Sequence, residues 1–376
     1  MSIQIQQVTD KSMMRKFVNF QNQLYKGVPW FVPKLFTDEM ATLDPDRNPA
    51  FQFCEAACYL AYKDGKIAGR VAAIVNRRAN EKWGHQEVRY GWFDFIDDPE
   101  VSKALIDKVV EFGKQRRMTH IAGPLGFTDF DAEGMLVEGF DQLCTMALLY
   151  NYPYYSQHME AMGFSKEVDW LEYKIFIPKQ VPEKVTRVAQ LVKERYGVRL
   201  RKPTRKEVLK EGIGHRIFDL INETYGELYN FTILPDNMVD KYIDTYLGLL
   251  DLKFVNIVED SDGNIIGVGI TMPSITRALQ KGGGKLFPFG WYHLLKSMFF
   301  KYEESVELLL IGVKAEWRSR GVLAVIFEDL INLYIKNGFK YGESNAELES
   351  NVKMQGTWDI YETEQTKRRR VYGKDI

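Results

Sequence analysis

The chain of 376 residues is short of cysteine, carries almost no net charge and has no long apolar run. Its three cysteines, Cys54, Cys58 and Cys144, are odd in number and make no disulfide framework, so a reducing, cytoplasmic setting is expected. Cys54 and Cys58 lack His or Cys partners at ligand spacing. The five histidines are scattered, with no His-x-x-x-His pair. No metal site is expected from that pattern. A net charge of −1 creates no field that would gather nucleic acid. No apolar stretch approaches the roughly 20 residues of a membrane span. Met1–Gln6 shows no basic-then-apolar signal, and no low-complexity tract follows.

What is present is a 45% hydrophobic content, enough for two cores. The pattern predicts one plan used twice. Ala57–Tyr62 and Ile67–Val75 flank the turn Lys63-Asp64-Gly65-Lys66 as a hairpin. Phe254–Val258 and Ile265–Met272 flank a second turn, Glu259–Asn264. Gly69 and Gly267 stand at equivalent places in the two return strands. A strand (Arg89–Ile96), a helix (Pro99–Gln115) and a strand (Thr119–Gly123) follow the first hairpin. Val306–Val313, Val322–Asn337 and Lys340–Leu348 follow the second. A repeat of about 200 residues means a duplicated domain, not a solenoid. The segment Phe176–Pro182, with two prolines and no apolar period, reads as a linker between domains 1–178 and 183–376.

The segment richest in chemistry is the strand Val306–Val313, the basic turn Lys314–Gly321 and the helix beginning at Val322. The first amides of a helix lack internal partners, and glycine lets a ligand approach the backbone. With Arg318 and Arg320, such a turn suits a phosphate or pyrophosphate. The plainer alternative is a basic loop that happens to precede a helix.

The element order and the turn Arg318-Ser319-Arg320-Gly321-Val322-Leu323 resemble the GNAT superfamily, whose turn runs Arg/Gln-x-x-Gly-x-Gly/Ala. The resemblance covers nearly the whole chain as two tandem copies. It implies a mixed-sheet α/β fold and an N-acyltransferase moving an acetyl or longer acyl group from a CoA thioester to an amine. Leu323 departs from the small residue of the motif, and Ala324 sits one place late. The first copy instead reads Ile96-Asp97-Asp98-Pro99-Glu100 at its turn. Three carboxylates there would repel a pyrophosphate by roughly 1 kcal/mol or more for each close pair. Only the second copy is therefore expected to hold acetyl-CoA or acyl-CoA. Further marks resemble a bacterial two-domain GNAT-like group that includes ceramide synthase-type amine acylases: Gly123-Pro124, Glu133–Asp141, Asn230-Phe231 and Leu286–Trp291.

By this resemblance, Val313 and Lys314 offer backbone groups to the cofactor, Arg318 through Leu323 cradle its pyrophosphate, and Asn351 touches it. A base must take a proton from the ammonium, and an acid must supply one to the leaving sulfur. Glu343, Asn345, Glu347 and Glu349 alternate on one predicted strand face, which is either a solvated face or the source of the base. Glu349 and Glu347, at the carboxyl end, are the preferred bases, and Tyr361 is the candidate acid; Trp358 stands where the family commonly has tyrosine. Asp129, Asp131 and Glu133 are read either as binders of a cationic amine or as turn residues, with Tyr155 and Asn230 assigned to the substrate beside them. Leu286–Phe300, aromatic and edged by lysines, is either a core helix or a receiver of an acyl chain or a membrane surface. Lys367–Arg370 reads first as a solvated strand end. A rival class is a catalytically silent ligand-binding or scaffold protein on the same fold.

Overall fold

The computed structural model describes residues 3–247 and 250–376. They gather into two compact units whose chain segments interleave. The first contains the chain up to Leu171, Thr276–Leu294 and Thr366–Ile376; the second contains Glu172–Ile275 and Leu295–Gln365. A single split near the Pro178–Pro182 linker does not describe this exchange. Two attachments produce it. The side-chain amide of Gln280 donates to the carbonyls of Pro29 and Phe31, both at 2.9 Å, and the Phe36 N–H donates to Gly284. The last strand of the chain pairs within the first unit.

In the first unit, β1 (Ile3–Gln7), β2 (Cys54–Lys63), β3 (Lys66–Asn76) and β4 (Glu87–Phe95) form an antiparallel run. β5 (His120–Gly123) joins β4 in parallel, which requires the crossover helix Pro99–Lys114. The short β6 (Met135–Glu138) follows, then the long β7 (Ser165–Phe176), whose residues from Glu172 onward belong to the second unit. The second unit repeats the plan. β8 (Arg199–Arg201), β9 (Val255–Glu259), β10 (Ile265–Pro273) and β11 (Ser305–Val313) are antiparallel neighbours. β12 (Tyr341–Ser344) joins β11 in parallel after the helix Val322–Asn337, and pairs on its other side with the end of β7. β13 (Glu347–Leu348) and β14 (Thr363–Asp375) complete the chain. This is a mixed α/β fold with one plan used twice.

Local chemistry accounts for the repeat. Asp64 (φ 53°) and Gly65 (φ 75°) both adopt positive φ, as the tightest hairpin turns demand. Gly69 and Gly267 match for a packing reason: a Cβ would lie 2.7 Å from Leu105 at the first and 3.1 Å from Val322 at the second. Each glycine lets its crossover helix settle onto the sheet.

Two sequence expectations change. The strand predicted over Lys340–Leu348 breaks after Ser344, because the Asn345 side chain accepts the Ala346 N–H in place of a ladder partner. The stripe Glu343, Asn345, Glu347, Glu349 is therefore not one strand face. Lys367–Arg370 is not a solvated end either. It lies in β14, with Lys367 and Arg369 buried and Arg370 gripping the buried Asp169 through two bonds of 2.8 and 3.0 Å.

The core of the first unit holds a buried polar network. Arg70, 1% exposed, donates through Nε to Asp94 at 2.7 Å and through Nη1 to the Phe17 carbonyl at 3.0 Å. Tyr25 donates to the same carboxylate at 2.9 Å and shares a 2.7 Å hydroxyl contact with Tyr155. Tyr155 also accepts the Phe95 N–H and stacks on the Phe95 ring at 4.2 Å. Tyr155 is thus a core residue and not a substrate contact. Removing one partner of a buried pair strands the other charge. Asp94→Asn should lower unfolding free energy by about 3–5 kcal/mol. Denaturant melts would check it, and a loss below about 1 kcal/mol would contradict this account.

Candidate active site

In the second unit two parallel strands part. β11 and β12 pair from Ser305↔Tyr341 to Leu308↔Ser344 and no further. Against β10, the partner of Ile270 is Leu310 and that of Thr271 is Leu308, so Leu309 is an extra, bulged residue. Asn345 bridges the parting, donating its backbone N–H to Leu308 at 3.2 Å and its side-chain amide to Leu309 at 3.4 Å. Beyond it, the backbone of β11 needs another partner. Tyr225, last residue of the helix Ile213–Tyr225, supplies one. Its hydroxyl donates to the Ile311 carbonyl and accepts the Ile311 N–H, both at 3.1 Å. Burial pushes this phenol up to about 12, with the charge of Glu347 adding to the rise, so it stays protonated.

Glu347 lies close enough to the parting for its charge to act on the Tyr225 phenol. The Trp358 indole N–H donates to its Oε1 at 2.9 Å, while its Oε2 is buried with no hydrogen-bond partner. Burial pushes its carboxyl up to about 7 against a smaller opposing pull from the indole. The Tyr361 hydroxyl is likewise buried and unpartnered, and burial holds it well above its usual value. Trp358 and Tyr361 pack around Phe327 at ring distances of 5.6 and 6.4 Å, in one cluster with Ile311, Leu323 and Ala324. Glu349 is half-buried, and its carbonyl accepts from the Gln355 amide. Glu347 thus combines a raised carboxyl with a buried oxygen that has no hydrogen-bond partner.

The basic turn is more self-occupied than the sequence suggested. Val313 O accepts from Arg318 Nε at 2.9 Å, and Lys314 N–H donates to Ile266 at 3.0 Å, so each already has a partner within the protein. Arg318 folds back further onto the Thr224 carbonyl. Arg320 stacks over Trp317 and Tyr196. Ser319 ends the short helix Ala315–Arg318. Gly321 (φ 83°) starts the Val322–Asn337 helix with no side-chain cap, and Val322 turns its side chain into the core. The first copy differs here. Asp98 caps the Pro99–Lys114 helix by accepting the Glu100 N–H at 3.0 Å, and proline at its first position has no N–H to offer. The start of the second helix can receive an anion; the start of the first is closed by its own carboxylate.

The remaining candidates serve structure. Asn351 caps Val352–Gln355 by accepting the Met354 N–H. Asn230 is buried at a positive φ of 57°, a turn conformation that asparagine tolerates. Asp131 Oδ2 accepts the Phe127 and Thr128 N–H groups at 2.8 and 3.2 Å. Asp129 and Glu133 lie in the field of the buried Arg89, and burial with the charge of Asp129 holds Glu133 well above the usual carboxylate range. Sequence reasoning missed Tyr225, because nothing in a helix's last residue announces which strand its hydroxyl reaches. Among the described residues, Glu87, His120 and Glu167 place ligand atoms within 4.8 Å of one another. His120 is held between Glu167 and Asp375, which raise it to about 9.

A parted parallel strand pair, a bulge beside the parting and an uncapped helix start, on a plan used twice, make this a GNAT-like fold in tandem. Superposition on the tandem GNAT protein from the clavulanic acid biosynthesis pathway, without AcCoA, covers 100% of this chain and 98% of the other, with TM-score 0.57 and 11% identity. The GCN5-related glucosamine N-acetyltransferase region of a fungal multi-domain β-N-acetylglucosaminidase aligns with 99% of this chain and 38% of that one, at TM-score 0.54 and 12% identity. In sequence, the chain is 26% identical over 383 residues to protein YghO of Escherichia coli K12, covering 98% of this chain and 94% of that protein. It is 26% identical over 310 residues to the bacterial ceramide synthase of Caulobacter vibrioides, covering 81% and 79%. No protein-family model matches it.

Glu347 binds its proton more tightly folded (about 7) than at the ordinary value of 4.5. Between those values the native state holds more protons than the unfolded chain, so this group lowers stability as pH rises. Glu347→Gln removes that loss. It should raise unfolding free energy on the order of 2–3 kcal/mol near pH 8 and leave it nearly unchanged near pH 4. Denaturant midpoints at the two pH values check this, and equal effects at both would contradict it.

Proposed function

We propose that the protein is an acyl-CoA-dependent N-acyltransferase whose acceptor is a hydrophobic, long-chain amine. The observation that carries the reading is Glu347: a half-buried carboxyl near neutrality, with one open oxygen, beside the parting of β11 from β12. The kinship with a bacterial ceramide synthase supports the long-chain amine.

The residues fit a CoA-type cosubstrate at the uncapped start of the Val322 helix, where backbone N–H groups and the helix dipole favour a diphosphate. When bound, the cosubstrate supplies a thioester carbonyl for the amine to attack. Glu347 takes the proton that the ammonium must lose, directly or through one water. The bulged backbone at Leu309 and the Ile311 edge are the sources of N–H donors for the carbonyl oxygen as it gains charge. Tyr361, kept protonated by burial, returns a proton to the departing sulfur. Tyr225 keeps the strand edge satisfied until a ligand displaces its hydroxyl.

Because the base must be ionised, kcat/KM should rise with pH through about 7. Glu347→Gln should cut kcat by about 100-fold or more and abolish that limb. A pH–rate profile with a sphingoid-type amine and palmitoyl-CoA checks both, and an unaltered profile in the variant would assign the base elsewhere. Titration calorimetry with CoA and palmitoyl-CoA separates this reading from a silent scaffold that binds neither. At Gly321 a Cβ would meet Val188 at 2.8 Å, so any side chain there strains the fold itself. Leu323→Glu, at a half-exposed position in the first turn, should weaken CoA binding about tenfold or more by charge repulsion. Unchanged affinity would move the diphosphate away from this helix.

A further inference from the structure

Thirteen large hydrophobic side chains are exposed among the described residues, and seven of them fall within Phe287–Phe300. Phe287 is 78% exposed, Phe289 69% and Phe300 83%, with Trp291, Tyr292, Leu295 and Phe299 beside them in sequence. They lie on one unbroken stretch of chain: a loop, the helix Gly290–Leu295 and the π-turn Lys296–Phe300 that continues it. Scattered exposed hydrophobics need no explanation, but a concentration of aromatics does. The stretch is not a loose loop. Gly284 packs against the Lys34 backbone, where a Cβ would come within 2.3 Å, and Gly290 and Leu294 are buried beneath the exposed rings. The fold therefore holds the aromatics outward.

Charge identifies what covers them. From Lys281 to Lys301 the chain contains four lysines, all exposed, and no aspartate or glutamate. A protein partner's apolar patch would not require a one-signed lysine border. An anionic bilayer satisfies both features: phenylalanines enter the acyl boundary, Trp and Tyr rings sit among the headgroups, and lysines face the phosphates. We infer that Phe287–Phe300 is a peripheral docking surface for an anionic phospholipid membrane. The inference stands apart from the acyl-transfer reading, since vesicle binding is measured without turnover. If both hold, the site works on amines drawn from a lipid phase.

The test is flotation of the full chain with POPC vesicles and with equimolar POPC/POPG vesicles, at low and high salt. Binding should be strong on the POPG vesicles and fall with added salt as the lysine attraction is screened. The triple variant Phe287→Ser, Phe289→Ser, Phe300→Ser should lose about tenfold or more in partitioning, with its thermal unfolding unchanged. Replacing Lys281, Lys285 and Lys301 by Glu should cost about fivefold per lysine on the anionic vesicles. No flotation at low salt, equal binding to POPC alone, or full binding by the triple variant would each overturn the inference. So would sedimentation showing a wild-type dimer that the triple variant turns into monomers, with no vesicle binding, because a second copy would then be the occupant.

Discussion

Parallel strands that pair for four residues and then part leave a row of peptide groups on β11 without their natural neighbours. Peptide groups out of contact with water must be satisfied, and the residues around the parting are arranged by that requirement. Asn345 covers the point where pairing stops. Tyr225 covers the next exposed pair at Ile311. A hydroxyl on a side chain is an exchangeable partner, which a third strand would not be. The same parting turns Glu347 and Tyr361 toward an apolar cluster instead of water, and that environment leaves each with an oxygen in need of a partner.

The two copies show how little local change separates an anion site from a closed helix end. Both crossover helices start after a strand of matching place, and both lie over a glycine that lets them approach the sheet. One begins with an aspartate that caps it and a proline that contributes no N–H; the other begins with a glycine that caps nothing. The first copy spends its polar capacity inward. Arg70, Asp94, Tyr25 and Tyr155 satisfy one another within its core, and Arg89 gathers the carboxylates once assigned to a substrate. Ion pairs such as Arg370–Asp169 fix the last strand of the chain.

Much of this was legible beforehand because it rests on local rules. The Asp64-Gly65 hairpin, the crossover helices, the matching Gly69 and Gly267 and the uncapped turn at Gly321 follow from torsional preference and periodicity. The acidic stripe was misjudged because a side-chain bond at Asn345 interrupts the strand, and alternation presumes a continuous one. The arginines at 318 and 320 looked free because sequence shows charge but not direction; one folds onto Val313 and the other stacks on rings. Leu286–Phe300 could be read as a core helix because aromatic periodicity looks alike whether a helix is buried or not; the exposure of its rings removes that reading.

Sequence alone determined the repeated plan, the class of fold and the uncapped helix start at Gly321, since each depends on residues within a few positions of one another. Tertiary structure decided which strands exchange between units, that the Glu347 carboxyl is raised toward neutrality, and that Tyr225 holds the strand edge. Those outcomes depend on burial and on partners far away in the chain. A carboxyl is raised only when water is taken from it, and a hydroxyl finds its strand only after the helix carrying it has packed.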